Sequence, residues 1–175
     1  MIYLESLNNS LHKIFNENNN AIFLGEDILD PYGGAFKVCK GLSTSFPAQV
    51  ISTPISEAGI VGAATGMAMR GLKPIVEIMF GDFVTLAADQ IINHASKYNW
   101  IYNGKVTIPL IIRTPVGGRR GYGPTHSQSL ESILMSVPGL EIIAPSIFHN
   151  PGKMIEDLFK QIKKPTIFVE YKLDY

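Results

Sequence analysis

One cysteine, Cys39, stands in 175 residues, and no internal disulfide can form from it. Net charge is equally scarce: 15 basic and 15 acidic residues cancel, which removes the electrostatic footprint that nucleic acid or an anionic membrane would require. No apolar run approaches the roughly 18 residues of a membrane-spanning helix. The N-terminus shows neither a basic leader nor an apolar stretch of signal-peptide length, so a cytoplasmic location is expected. Internal repeats, low-complexity tracts and linkers are missing too, and one domain over residues 1–175 is expected. Neither a Gly-x-Gly-x-x-Gly nor a Walker sequence occurs, and Gly33-Gly34 resembles a phosphate loop only superficially. No second histidine lies at metal spacing from His94, which reads as structural or surface, and no metal site is expected in this chain. Only 17% of residues are charged. With a positive mean hydropathy, that leaves more apolar surface than a small monomer hides, and a partner chain is expected.

What is present is an alternation of helical and extended patterns. Leu4, Leu7, Leu11, Ile14 and Phe15 predict an amphipathic helix over 3–16, ended by Asn18, Asn19 and Asn20. Apolar runs predict strands at 21–24, 49–52, 73–79, 109–113, 140–144 and 166–170. Helical spacing predicts one long helix over 85–102, a short one over 130–136, and one capped by Asn150-Pro151 that runs to Lys163. Asp30 to Gly34 is turn chemistry, and 35–46 reads as a loop with one helical turn. The glycine-rich 114–125, bearing Arg119 and Arg120, reads as a mobile cover that orders on an anionic group. The whole is an α/β fold, a doubly wound, mostly parallel sheet flanked by helices, with ligands handled at the carboxyl ends of the strands.

The centre of the pattern is Thr53 to Gly71. Ser56 can cap a helix there, Glu57 adds charge to its first turn, and Gly71 stops it. Gly59, Gly62, Ala63 and Gly66 give it a small-residue side despite a cost of roughly 1 kcal/mol per mid-helix glycine, so something is expected to approach it closely. Glu57, among Ile55, Ile60 and Val61, is either a solvated first-turn charge or a buried acid awaiting a partner; helix electrostatics alone favour the first. Glu26-Asp27, at a strand end, is either a solvated acid pair or part of a site. Phe83 is either a core plug or a contact. His126, where a mobile loop meets a helix, is an acid-base candidate, and no acid partner for a Ser-His triad is visible.

Several separated motifs then occur in the order and spacing of one family: Leu24-Gly25-Glu26-Asp27, Thr53-Pro54-Ile55-x-Glu57, Glu77-x-Met79-Phe80-x-Asp82-Phe83, Asp89-Gln90-Ile91-x-Asn93, His126-Ser127-Gln128-Ser129-x-Glu131 and Pro138-Gly139-Leu140. From about Gly25 onward the chain resembles the N-terminal half of the beta subunit of thiamine-diphosphate-dependent 2-oxo acid dehydrogenases of the pyruvate and branched-chain type, a pyrimidine-binding domain of the transketolase-like fold. The resemblance implies that Glu57 bonds the N1′ nitrogen of the aminopyrimidine of thiamine diphosphate, so that the ring's 4′-nitrogen can take the thiazolium C2 proton. It implies that Phe83 stacks on that ring with Met79 beside it, that Glu26 is a second acid relaying protons, and that His126 serves the substrate side.

The Gly-Asp-Gly motif that holds Mg2+ and the diphosphate is absent from this sequence, and in the family it belongs to the alpha subunit. The resemblance therefore implies an alpha-type diphosphate-binding partner, self-association, docking on a lipoyl acyltransferase, and a second domain that this sequence does not contain. It also implies K+ on backbone carbonyls near Asn150, where the family usually has aspartate. The reaction implied is oxidative decarboxylation of pyruvate or a related 2-oxo acid with acyl transfer to a lipoyl group. The rivals are half of a split transketolase-like enzyme or decarboxylase, and a non-catalytic assembly module.

Overall fold

Six strands form one sheet in the order β2-β1-β3-β4-β6-β5, and every registered pair is parallel. They are β1 (Ala21–Gly25), β2 (Val50–Ser52), β3 (Lys73–Glu77), β4 (Ile111–Val116), β5 (Glu141–Ile143) and β6 (Thr166–Tyr171). The computed structural model describes residues 3–175. Side chains alternate across the sheet as the strand period of two requires. Phe23, Ile75, Ile111 and Phe168 enter one core layer, with α1 (Tyr3–Glu17) and α6 (Pro151–Gln161) packed over it. Leu24, Val76, Ile112, Ile167 and Val169 enter the other, under α3 (Glu57–Met69) and the segment that follows β3. Helices thus lie on both faces.

The helix crossing of α1 and α6 depends on Gly152. A Cβ there would lie 2.3 Å from the Ser6 carbonyl oxygen and 2.4 Å from Ser10 Oγ. Asn150 caps α6 by accepting from the Lys153 amide at 2.9 Å, and it also accepts from Ser6 Oγ at 2.7 Å. The loop after β1 is tied by Asp30, which accepts from the Gly41 amide and Ser43 Oγ, each at 2.7 Å, and from the Thr44 amide and hydroxyl. Those bonds, Gly41's first, hold its carboxyl well below the usual carboxylate range. The one helical turn expected in this loop is α2 (Leu42–Ser45).

Three expectations are corrected. The segment 85–102 is not one α-helix: it is a 3-10 segment, Gly81–Ala87, a π segment, Gln90–Ala95, and the single turn α4 (Tyr98–Ile101). The Ser96 amide reaches back five residues to the Ile91 carbonyl at 3.1 Å, and Leu86, counted into the apolar stripe, is exposed. β4 runs on through Thr114, Pro115 and Val116, paired with Val169, Glu170 and Tyr171, so the loop begins only at Gly117. Finally, of the glycines expected to admit a close neighbour on α3, only Gly62 does so within the chain, where a Cβ would stand 3.1 Å from Gln90 Oε1; Gly66 meets nothing within 4 Å, and Gly59 only its own cap, Ser56.

Candidate functional site

The strand ends carry an ion cluster that the sequence pattern did not reveal. Arg113, 1% exposed, is registered opposite Glu77 across β3 and β4, and Glu170 lies two residues past Arg113's partner Phe168 on β6, hence on the same face. Arg113 donates to both Glu170 oxygens at 2.7 Å and to Glu77 Oε2 at 2.8 Å. The Tyr175 hydroxyl donates to Glu170 as well. Burial pushes the Glu77 carboxyl up against the opposing pull of Arg113. Gly34, at φ +80°, passes so close that a Cβ would lie 2.7 Å from Glu77 Oε1. Two carboxylates and one guanidinium out of water cost several kcal/mol per ion unless their bonds are complete. The cluster joins the ends of β3, β4 and β6, with Gly34 of the loop after β1 packed on it.

The same end of the sheet carries two further acids. Glu26 leaves the end of β1, and Glu57 is the first residue of α3, whose cap Ser56 accepts from the Gly59 amide at 3.3 Å. Glu57 is 6% exposed, so the solvated first-turn reading does not hold. Glu26 is 8% exposed while Asp27 is exposed, so the pair divides: one acid is inside, the other in solvent. Burial first, and the Glu57 charge second, raise the Glu26 carboxyl, partly opposed by the Ser56 backbone N–H. Glu26 Oε1 has no hydrogen-bond partner in the chain. Of the expected apolar surroundings of Glu57, Ile60 and Val61 are buried, whereas Ile55 is 83% exposed and gives no cover.

The aromatic part stands on the segment after β3. Met79 is half-buried at the turn, and Gly81 packs so tightly on β4 that a Cβ would meet Val116 Cγ1 at 2.5 Å. Phe83, half-buried, is edge-on to Phe80 at 5.7 Å between ring centroids and to His126 at 5.2 Å. His126, half-exposed, ends the 3-10 turn Pro124–His126, with its ring 4.7 Å from Phe80 and its Nδ1 3.0 Å from Thr125 Oγ1. Ser127 Oγ donates to the Gly123 carbonyl, so Ser127 and His126 form no Ser-His pair. α3 packs against Gly81–Ala87 and so brings the acid pair and the aromatic group to the same end of the sheet.

The glycine-rich loop is tied down at several points. The Gly117 amide donates to the Gln128 carbonyl at 3.1 Å, and Arg120 Nη1 donates to the Lys172 carbonyl at 3.0 Å. Asp82, buried, accepts from Gln128 Nε2 at 2.7 Å. Phe80, Tyr122, Asp82 and Lys172 were not singled out as site residues from the sequence. Phe80 and Asp82 stood there only as members of the Glu77-x-Met79-Phe80-x-Asp82-Phe83 motif. His94, read as structural or surface, pairs with Asp89 at 3.5 Å on the outside. Among the described residues no helix is long and apolar enough to cross a membrane.

The chain as a whole is similar to known proteins. The pyruvate dehydrogenase E1 component subunit beta of Leifsonia xyli subsp. xyli is 39% identical over 168 residues, covering 95% of this chain and 49% of that protein. The acetoin:2,6-dichlorophenolindophenol oxidoreductase subunit beta of Bacillus subtilis is 35% identical over 185 residues, covering 98% and 53%. The chain thus spans about half the length of the curated relatives it matches. A solved split-gene transketolase, an inactive beta4 tetramer, superposes with a TM-score of 0.75 at 18% identity over 98% of this chain and 51% of that one, which speaks for the fold alone. The transketolase pyrimidine-binding domain matches residues 1–175, and the chain belongs to that family.

Proposed function

We propose that the chain is the pyrimidine-binding half of a thiamine-diphosphate-dependent 2-oxo acid dehydrogenase, in the oxidative decarboxylation of pyruvate or a related 2-oxo acid with acyl transfer to a lipoyl group. The observation that carries this reading is Glu57, a carboxyl withdrawn from water at a strand-end helix start beside a second acid, Glu26, that has an unpartnered buried oxygen. Such a pair fits a nitrogen heterocycle that needs a proton held at one ring atom. Thiamine diphosphate, when bound, supplies the electron sink that decarboxylation of a 2-oxo acid requires.

Glu57 holds the proton shared with the ring nitrogen, Phe83 and Met79 give the ring an apolar wall, and Glu26 exchanges protons with the Glu57 side. His126 has Nδ1 committed to Thr125 and presents Nε2 to the substrate. The diphosphate and Mg2+ fall to an alpha-type partner subunit, without which the chain is inactive. The open small-residue side of α3 at Gly59 and Gly66 supports self-association. Docking on a lipoyl acyltransferase and K+ near Asn150 belong to the same reading. So does a cytoplasmic location, with which the free, buried Cys39 agrees.

A second reading, half of a split transketolase-like enzyme, is favoured by the fold of the solved split-gene transketolase. Reconstitution with a subunit bearing the diphosphate motif separates the two. Turnover of a 2-oxo acid with lipoamide as acceptor is expected; turnover only with an aldehyde acceptor, or only to a free aldehyde, would replace the proposal. No cofactor binding by any such pair would leave an assembly module.

A further inference from the structure

The tail of the chain holds a lysine that no part of the proposed reaction uses. Lys172 begins the 3-10 turn Lys172–Asp174 directly after β6, and it is 1% exposed. Its ammonium lies 5.0 Å from the Phe80 ring centroid and 5.6 Å from that of Tyr122, and it donates to the backbone carbonyl of His126. In return, the Lys172 carbonyl accepts from Arg120 Nη1 at 3.0 Å. Loop and tail therefore exchange two bonds, one from each side, across the segment that carries His126.

That segment fixes itself only in part, through the Gly117 amide on the Gln128 carbonyl and Ser127 Oγ on the Gly123 carbonyl. Gly117, Gly121 and Gly123 all sit at positive φ, and Arg119 does too at φ 65°, so its backbone has wide freedom once external contacts are removed. An ammonium is an expensive way to fill a space between two aromatic rings, which an apolar side chain of similar length would fill at lower desolvation cost. What a methionine there could not do is reach the His126 carbonyl with a charged donor. Asp82, which faces the same ammonium, is itself bonded to Gln128, two residues past His126.

We infer that Lys172 is a positioning residue for His126: its ammonium pins the His126 backbone over Phe80 and Phe83 and thereby fixes where the imidazole meets the substrate. The inference rests on the reading of His126 as the substrate-side acid-base group. The pinning itself, however, is measurable without any cofactor.

The test is Lys172→Met in the full chain, read by trypsin cleavage after Arg119 and Arg120 and by the imidazole resonances of His126. Expected are cleavage at least about five-fold faster than in the wild type, loss of the ring-current shift on His126, and a melting temperature that is essentially unchanged. Wild-type cleavage and wild-type resonances would overturn the inference, as would a lowered melting temperature with both readouts unmoved, since that is what a merely structural lysine gives. Should Lys172→Met not fold, Lys172→Arg is the second variant. It keeps a charged donor, so slow cleavage supports the inference and fast cleavage with a free His126 overturns it. In the reconstituted complex Lys172→Met should lower kcat more than it raises KM. If His126→Ala leaves turnover untouched there, the reading of His126 falls while the pinning result stands.

Discussion

Glu26 and Glu57, one at the end of a strand and the other at the start of a helix, form a buried acid pair in which the Glu26 carboxyl is pushed up from the usual glutamate value. Its pKa is raised by burial and then by the charge on Glu57, and Oε1 finds no partner. Two carboxyls in this relation cannot both ionise without cost, which divides the work between them.

The stability consequence has a definite sign. A carboxyl whose pKa is higher in the folded than in the unfolded chain favours folding below its unfolded value, about 4.3 for glutamate, and loses that contribution as pH rises through the folded value. Glu26→Gln, neutral at every pH, is therefore expected to be more stable than the wild type at pH 7 by about 1 kcal/mol. That corresponds to roughly 2–4 °C in melting temperature for a chain of this size. The advantage should vanish near pH 4. Thermal unfolding at the two pH values checks it, and a destabilised variant at pH 7 would contradict the raised pKa.

The Arg113 cluster gives a prediction of the opposite kind. Arg113→Met removes the one cation from between Glu77 and Glu170 and leaves two carboxylates buried without their partner. The expected loss is about 3–5 kcal/mol in urea unfolding. Adding Glu77→Leu and Glu170→Met should recover most of it, because an apolar triad carries no desolvation cost. A single variant within about 1 kcal/mol of the wild type would mean that the cluster does not bear on stability.

How far the residues disclosed this arrangement depended on how local each signal was. α1 and α6 were legible because their apolar stripes and the Asn150-Pro151 cap are contiguous in the chain. α3 has no stripe and was readable only from Ser56 and Gly71 at its ends. Residues 81–102 misled because Ile91, Ile92 and Ala95 also suit a helical period, while the actual backbone tightens at Gly81 on Val116 and widens at Ile91.

Within the site, Glu26, Glu57, Phe83 and His126 were found as motif residues, and the structure groups them as an acid pair and an aromatic cluster. The Arg113 cluster and the Lys172 contact were not legible, since each joins residues 36 to 57 positions apart that only the strand order makes neighbours. The burial of Glu57 was likewise invisible locally: helix electrostatics treats a first-turn acid as solvated, whereas in the fold it is 6% exposed.

The most direct test of the central claim, that Glu57 holds a cofactor ring nitrogen through a shared proton, is the rate of deuterium exchange at C2 of thiamine diphosphate bound to the complex reconstituted with its diphosphate-binding subunit. It needs no knowledge of the oxo acid. Glu57→Gln keeps the shape of the side chain and removes the acid, and exchange at least about 100-fold slower than in the wild type is predicted. Exchange at the wild-type rate, with cofactor bound, would contradict the account.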